Sequence, residues 1–342
     1  MKFWQRYIVK YTNNSPKKKM KFYLVGVWVN RNWILGTWIK KCRDRYFEYV
    51  TIFWVPSVYA GKRWWEKFTF LPLPNADGYF FSYPTIFEKY LNHSYRKVAQ
   101  RSVVNYTHNL EELGDLQHQV KILNMAYSVH FNCSRDAESL VKLGLEAKKV
   151  RLVFGAIDSE CQLSPNNIKH PKTILLASNF SKRKGLRILP EVIRQLPDWN
   201  FVALGRNWEK FIREEKLDSC RNFRYEYFDL NSRNREMSKA SHFLSLSDLE
   251  GGPIPLIEAM KMNAFPIATD TGFARDLITT AEFGRLIPVS PTLDEIVASI
   301  RSSEYAVFDW TKHPLLPTLT WERISDLIFS DLIDIRNSSN TI

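Results

Sequence analysis

The segment from Ser245 to Met260, SLSDLEGGPIPLIEAM, is typical of a short buried strand followed by a loop and a helix. Gly251 and Gly252 lie in the loop, where the absence of a side chain lets the backbone approach a ligand closely. Pro253 and Pro255 predict the first turn of the helix, because a proline there loses no intrahelical hydrogen bond. A strand that leads through a loop into a helix is the repeating unit of parallel α/β sheets.

The same unit repeats on both sides of this segment. The predicted strands of the first half are Lys21–Val29, Phe47–Val55, Tyr79–Ser82, Ser102–Thr107, Val129–Asn132 and Val150–Phe154. The predicted strands of the second half are Thr173–Ser178, Phe201–Leu204, Phe223–Tyr227, His242–Leu246, Phe265–Ala268 and Arg285–Val289. Predicted helices between them are Leu35–Arg45, Thr85–Leu91, Arg135–Leu143, Leu186–Leu196, Asn234–Ala240, Pro253–Met262, Phe273–Ile278 and Leu293–Arg301. This alternation predicts an α/β protein with two doubly wound domains in tandem.

Composition marks the boundaries between these domains. Pro165 and Pro171 flank two asparagines in a stretch that is typical of a linker. Within the first domain, Ser134 is the expected N-cap of the predicted helix Arg135–Leu143. The predicted segments are a basic extension at 1–19, an N-terminal domain at 20–158, a linker at 159–172, a C-terminal domain at 173–318 and a C-terminal helix and tail at 319–342.

Two carboxylates flank the loop and the helix of the opening segment. Glu250 precedes the helix, and Glu258 lies about one and a half turns inside it. The free N–H groups at a helix start and the helix dipole favour an anion such as a diphosphate. Carboxylates at the two ends of such a site can accept hydrogen bonds from sugar and ribose hydroxyls. As an isolated pair, such glutamates are more often a solvated loop residue and a surface helix residue, and the surrounding segments have to decide.

Glu250 and Glu258, with seven residues between them, resemble the E-x7-E motif of retaining glycosyltransferases of the GT-B fold, most closely family 4 (group 1). Further segments that resemble this family in the same order are Gly155–Asp158, Lys184-Gly185, Phe265–Gly272 and Phe283–Ile287. The resemblance covers residues 172–300 well and the first half loosely. It implies two Rossmann-like domains that face each other across a cleft, with a C-terminal helix that crosses back to the N-terminal domain.

The resemblance also implies roles for individual residues. Glu250 is expected to contact the donor sugar as a catalytic residue, and Glu258 to contact the ribose of the nucleotide. Lys184 is expected to bind the donor diphosphate, beside the backbone of Gly251 and Gly252. The implied reaction transfers a sugar from a nucleotide-sugar donor and retains its anomeric configuration.

Three features of this expected site concern charge and the cleft. Asn179 stands where the family usually has an arginine, so Lys182 and Arg183 are the candidates for the missing charge. His108 resembles a family histidine at the interdomain cleft and is the second expected catalytic residue, although an isolated histidine near a strand end is more often structural. No Asp-x-Asp is present, so we expect neither a metal ion nor another cofactor.

The net charge of +12 lies entirely in the first half of the chain. Residues 1–160 carry 25 Lys and Arg against 13 Asp and Glu, whereas residues 161–342 carry 23 of each. We therefore expect an acidic partner for this half, namely an anionic membrane surface and a glycan or lipid-linked acceptor. The candidate contact patch, together with the polybasic run 17–19, consists of Lys62, Arg63, Trp64, Trp65 and Lys67.

Location and alternative functions follow from signals that the sequence lacks. It has no secretory signal and no apolar run of the length that spans a membrane, and its four cysteines are scattered, so we expect a cytoplasmic protein that is peripheral to a membrane. The basic and aromatic residues also suggest nucleic-acid binding, but no nucleic-acid-binding signature accompanies them and we expect no such partner. A nucleotide-sugar epimerase of the same fold and a non-catalytic homologue remain alternatives. No G-x-G-x-x-G follows a strand, which disfavours a dinucleotide oxidoreductase.

Overall fold

The computed structural model describes residues 20–27, 34–55, 72–106, 115–157 and 168–339. Within these ranges the chain forms two parallel sheets of six strands each. Helices lie between successive strands of both sheets, apart from the connection from β2 to β3, of which 56–71 lie outside the described residues. The expected α/β class with two Rossmann-like domains is confirmed.

The first sheet has the strand order β2-β1-β3-β4-β5-β6. Its strands are β1 (Phe22–Val27), β2 (Val50–Val55), β3 (Gly78–Phe81), β4 (Ser102–Tyr106), β5 (Ser128–Phe131) and β6 (Val150–Leu152). Every residue of β1, β3, β4 and β5 is buried, as expected for parallel strands that are covered on both faces. The accompanying helices are α1 (Ile34–Arg45), α2 (Pro84–Val98), α3 (Leu116–Leu123) and α4 (Ser134–Lys142).

The second sheet has the strand order β12-β11-β10-β7-β8-β9. Its strands are β7 (His170–Ala177), β8 (Asn200–Gly205), β9 (Phe223–Tyr227), β10 (Ala240–Ser245), β11 (Phe265–Thr269) and β12 (Arg285–Ile287). The accompanying helices are α5 (Leu189–Gln195), α6 (Glu209–Glu214), α7 (Leu230–Lys239), α8 (Ile254–Lys261), α9 (Ala274–Leu277) and α10 (Leu293–Ser302). The chain builds outward from β7 in one direction and from β10 in the other, so the topological switch point lies between these two strands.

The C-terminal helix α11 (Trp321–Ser339) packs on the first sheet rather than on the second. Its buried residues recur at intervals of three and four, which places them on one face. That face contacts buried residues of β1, β3 and α1. The residues that form it are Trp321, Ile324, Ile328, Leu332 and Ile335. The expected crossing of this helix back to the N-terminal domain is confirmed.

Some predicted boundaries are wrong for identifiable reasons. Cys133, whose backbone is extended, is the N-cap of α4, and Ser134 is its first helical residue. The Ser134 N–H donates to Asp276 Oδ2 of the second domain at 3.0 Å. Residues 46–49 form a turn before β2, since Tyr46 stacks on Phe329 of α11 with 3.8 Å between the ring centroids. Strand β7 begins at His170, inside the stretch predicted as linker, of which 159–167 lie outside the described residues.

Candidate functional site

The strongest site candidates meet at the switch point of the second sheet. Strands β7 and β10 are hydrogen-bonded neighbours, and the loops that leave their carboxyl ends border one crevice. The loop after β10 carries Glu250, and the turn after β7, Lys182–Lys184, carries Lys184. The two residues are 66 positions apart in sequence, and the parallel topology brings them together.

Lys184 and Glu250 form an ion pair. The Lys184 ammonium donates to Glu250 Oε1, which also accepts a hydrogen bond from Ser247 Oγ at 2.8 Å. The Glu250 side chain is 9% exposed and that of Lys184 is 18% exposed. A small cavity of about 30 Å³ borders the pair between the ends of β7 and β10, too little space for a nucleotide sugar.

Gly185 explains how the Lys184 turn comes so close to the Glu250 loop. Its φ of +63° lies in the left-handed region that favours glycine. A β carbon at this position would lie 1.8 Å from the carbonyl oxygen of Leu246, the residue directly after β10. The N–H of Asp248 donates to the carbonyl of Arg183 at 2.8 Å, which joins the two loops further. Glycine after the lysine is thus a steric requirement of the ion pair.

The start of α8 offers fewer hydrogen-bond donors than its sequence suggested. Pro253 is the N-cap and Pro255 lies in the first turn, and neither residue has an N–H group. The N–H of Leu256 donates to the Pro253 carbonyl at 2.9 Å. The helix dipole still favours an anion here, but much of the neutralising charge has to come from side chains.

Glu258 is buried within α8 and paired with a residue that sequence reasoning missed. Its Oε1 accepts a hydrogen bond at 2.9 Å from Arg233 Nη1, which α7 contributes. The Arg233 and Glu258 side chains are 5% and 9% exposed. Glu258 is therefore neither a surface residue nor an isolated charge. Arg233 lies among other charged residues of a polar helix, so no sequence signal distinguished it.

Lys182 and Arg183, the candidates for the charge that Asn179 does not provide, follow it closely in the chain. The Oδ1 of Asn179 accepts a hydrogen bond from the backbone N–H of Arg206 at 3.1 Å. The Arg206 guanidinium lies 5.8 Å from the ring centroid of Tyr227, on the edge strand β9, and so is directed away from β10. Lys182 and Arg183 are both exposed on the turn that carries Lys184.

Residues of the first domain border the Glu250 loop from the opposite side. Gly252 lies close to both Phe273 and Asn132, since a β carbon on it would be 2.8 Å from Phe273 Cε1 and 3.4 Å from Asn132 Nδ2. Asn132 follows β5 and is 8% exposed. Its position at the carboxyl end of a strand was the sequence signal that could have singled it out. Burial raises the pKa of Asp276, which accepts the N–H of Ser134 across the same interface.

Several predicted site residues lie outside the described residues. They are His108, Lys62, Arg63, Trp64, Trp65 and Lys67, together with the polybasic run 17–19. Their expected roles stay predictions. None of the helices in the described ranges combines the length and the apolar composition that crossing a bilayer requires.

A comparison with protein families agrees with this geometry. Residues 160–304 match the family model described as glycosyl transferases group 1, and this match contains Lys184, Arg233, Glu250 and Glu258. The C-terminal domain is a group 1 glycosyl transferase domain. The match spans all six strands of the second sheet, from β7 to β12, and ends shortly after α10. None of the curated proteins matches the chain at a significant level.

Solved structures show the fold of the whole chain. HepE of Anabaena in complex with UDP has a TM-score of 0.66 at 14% identity, covering 94% of this chain and 100% of that one. The apo form of the lipopolysaccharide outer core galactosyltransferase WaaB has a TM-score of 0.64 at 15% identity, with the same coverage of both chains. Sucrose-phosphate synthase of Thermosynechococcus elongatus has a TM-score of 0.66 at 14% identity, covering 94% and 98%. At these identities the likeness shows the fold alone, and that fold is GT-B, as expected.

Proposed function

We propose that the chain is a retaining glycosyltransferase that moves a sugar from a nucleotide-sugar donor to a glycan or lipid-linked acceptor. The observation that carries the proposal is the meeting of Lys184 and Glu250 at the switch point, beside the start of α8 and with Glu258 inside it. Ligands of open α/β sheets bind in this kind of crevice. The group 1 domain supplies the family context for reading the three residues as a donor site.

Donor binding would exchange the partners of the ion pair. A diphosphate competes with Glu250 for the Lys184 ammonium, which can turn on its flexible stem toward the phosphate oxygens. Glu250 then accepts a hydrogen bond from a sugar hydroxyl in place of the ammonium, and Glu258 accepts from the ribose. In this proposal Lys184 and the α8 dipole neutralise the leaving diphosphate, and the reaction needs no metal ion or other cofactor.

Retention fits a displacement in which the acceptor attacks from the face that the diphosphate leaves. The bond between the anomeric carbon and the phosphate oxygen breaks, and a bond from that carbon to the acceptor oxygen forms. The proton of the acceptor hydroxyl passes to the departing phosphate oxygen. His108 is proposed to contact the donor sugar at the cleft, as the family resemblance implies.

The donor and the acceptor can be narrowed by chemistry. HepE of Anabaena is described in complex with UDP-glucose, and WaaB is named as a lipopolysaccharide galactosyltransferase, so UDP-hexoses are the first donors to test. The positive charge of residues 1–160 favours an acceptor at an anionic surface. We propose a cytoplasmic protein, peripheral to a membrane, that acts in the synthesis of cell-surface polysaccharide, lipopolysaccharide or glycolipid.

Donor binding and turnover in variants of the three residues test the proposal. Lys184→Ala and Glu258→Gln should each weaken binding of the donor, and Glu250→Gln should mainly lower turnover. Lys210→Ala is the matched control, because Lys210 is an exposed lysine of the same domain that pairs with Glu214 on α6. Product analysis by NMR in the presence of EDTA reads the anomeric configuration and the metal requirement together. Parent-like behaviour of all three variants would refute the site, and an inverted product or complete loss of turnover in EDTA would refute the mechanism.

A further inference from the structure

The segment that follows β5 connects the first domain to the second at several points. The N–H of Ser134 donates to Asp276 Oδ2 at 3.0 Å, and Arg135 Nη1 donates to the backbone carbonyl of Asp270 at 3.2 Å. Asn132 lies two residues before Ser134, close to Gly252 in the loop that carries Glu250. Asn132 thus lies at the domain interface.

The amide of Asn132 is buried without a partner for its oxygen. The residue is 8% exposed, and among the residues that the structure describes its Oδ1 has no hydrogen-bond partner. An unsatisfied buried acceptor of this kind costs about 1–3 kcal/mol. Such groups are rare in folded proteins and are commonly explained by a ligand or a functional role. Within the described ranges this oxygen is therefore open to a partner that they do not supply.

The surroundings of this amide indicate what that partner is. Its Nδ2 lies 3.4 Å from the place where a β carbon on Gly252 would stand, and Gly252 is two residues after Glu250. The missing side chain at Gly252 leaves the amide next to the backbone of the loop. An amide both donates and accepts hydrogen bonds, as a hydroxyl does, and it carries no charge that would attract a diphosphate.

We propose that Asn132 contacts the transferred sugar and accepts a hydrogen bond from one of its hydroxyls through Oδ1. The inference rests on the proposed function, since it assumes that a donor sugar lies beside Glu250. It assigns to the first domain a part in donor recognition, opposite the carboxylates of the second domain. A site built to hydrogen-bond a hydroxyl discriminates strongly against a sugar that lacks or misplaces it, so Asn132 would contribute to the choice of sugar.

Paired binding measurements isolate the contact with the sugar. Dissociation constants are measured by calorimetry for UDP-glucose, UDP-galactose and UDP-N-acetylglucosamine against UDP, and for GDP-mannose against GDP. For the pair that the parent binds, Asn132→Ala should weaken the nucleotide sugar at least about tenfold and leave the free nucleoside diphosphate within about twofold. Unchanged diphosphate binding also shows that the variant is folded. Asn132→Ser, which removes the amide but stays polar, should give the same selective loss and replaces the alanine variant if that one does not fold.

Asn124→Ala is the matched control. Asn124 belongs to the same domain and lies between α3 and β5, before the amino end of the strand that Asn132 follows. Its Nδ2 donates to the Gly144 carbonyl. It should leave both dissociation constants of the pair unchanged. Equal weakening of the nucleotide sugar and the diphosphate by Asn132→Ala, or no weakening of either, would overturn the inference while leaving the donor site intact. A parent protein that binds none of the pairs would overturn the proposed function and this inference with it.

Discussion

Asp331 attaches the C-terminal helix α11 to the first sheet, and Asp331→Ala should destabilise the N-terminal domain. Its Oδ2 accepts hydrogen bonds from Ser128 Oγ and, at 2.8 Å, from His130 Nε2, both on β5. Its Oδ1 lies 3.7 Å from Nε of Arg151 on β6. The His130 and Asp331 side chains are 1% and 10% exposed, so water cannot readily replace these bonds.

The expected magnitude follows from the groups that lose their partner. The substitution leaves a buried imidazole nitrogen and a buried hydroxyl unsatisfied, each worth about 1–3 kcal/mol. The apolar face of α11 stays in place, and Arg151 is partly exposed and can be rehydrated. We expect the free energy of unfolding to fall by about 3 kcal/mol. In a domain of this size that corresponds to a decrease in melting temperature of roughly 6–12 °C.

Urea unfolding followed by circular dichroism measures this loss, with Asp334→Ala as the control. Asp334 is an exposed carboxylate three residues further along the same helix, and its removal should change the free energy of unfolding by less than about 0.5 kcal/mol. A loss for Asp331→Ala no greater than for the control would refute the reasoning.

The pH dependence provides a second check on the same residue. Burial raises the pKa of Asp331, but the hydrogen bonds from His130 and Ser128 outweigh it and hold the pKa below its ordinary value. The contribution of this carboxylate is therefore present above about pH 3.8 and lost as the pH falls through the lowered folded-state pKa. The difference between parent and variant should shrink only in that acidic range.

Two further predictions concern α4 and the basic half of the chain. Burial raises the pKa of Asp136 to about 6, so its ionised form destabilises the fold at neutral pH. Asp136→Asn should raise the free energy of unfolding by about 1–2 kcal/mol at pH 7.5 but not at pH 4, and an equal gain at both pH values would contradict this. The protein should sediment with anionic but not neutral vesicles, less so at high salt and less so when Trp64 and Trp65 become alanine. Equal recovery in the supernatant with both vesicle types at low salt would refute the membrane proposal.

Local chemistry made the loop and helix of the proposed donor site predictable. Gly251, Gly252, Pro253 and Pro255 restrict the backbone by their own geometry, so the change from loop to helix at this point needs no distant contact. Alternating strand and helix patterns then predicted two parallel sheets. Parallel order alone placed the carboxyl ends of the strands, and with them Glu250, at one edge.

Contacts between distant segments account for what the sequence did not reveal. The turn before β2 depends on Tyr46, which stacks on Phe329 and hydrogen-bonds Asp326, both of α11. Arg233 became visible only when α7 was placed beside α8. Asn132 likewise acquires its significance from the approach of the second domain. Each of these residues is separated from its partner by at least 25 positions, and local propensity carries no information about such pairs.

The two carboxylates of the proposed donor site differ in how firmly their cations are held. Glu250 is paired with Lys184, whose side chain is 18% exposed and whose flexible stem allows the ammonium to move. Glu258 is paired with Arg233, whose side chain is 5% exposed. Breaking a buried pair by removing one partner costs about 3–5 kcal/mol, so Arg233 has little freedom to leave Glu258. A diphosphate that enters the crevice can therefore recruit Lys184 but not Arg233. From this difference we infer that Glu250 exchanges its hydrogen-bond partner when the donor binds, while Glu258 keeps its position and aligns the nucleotide.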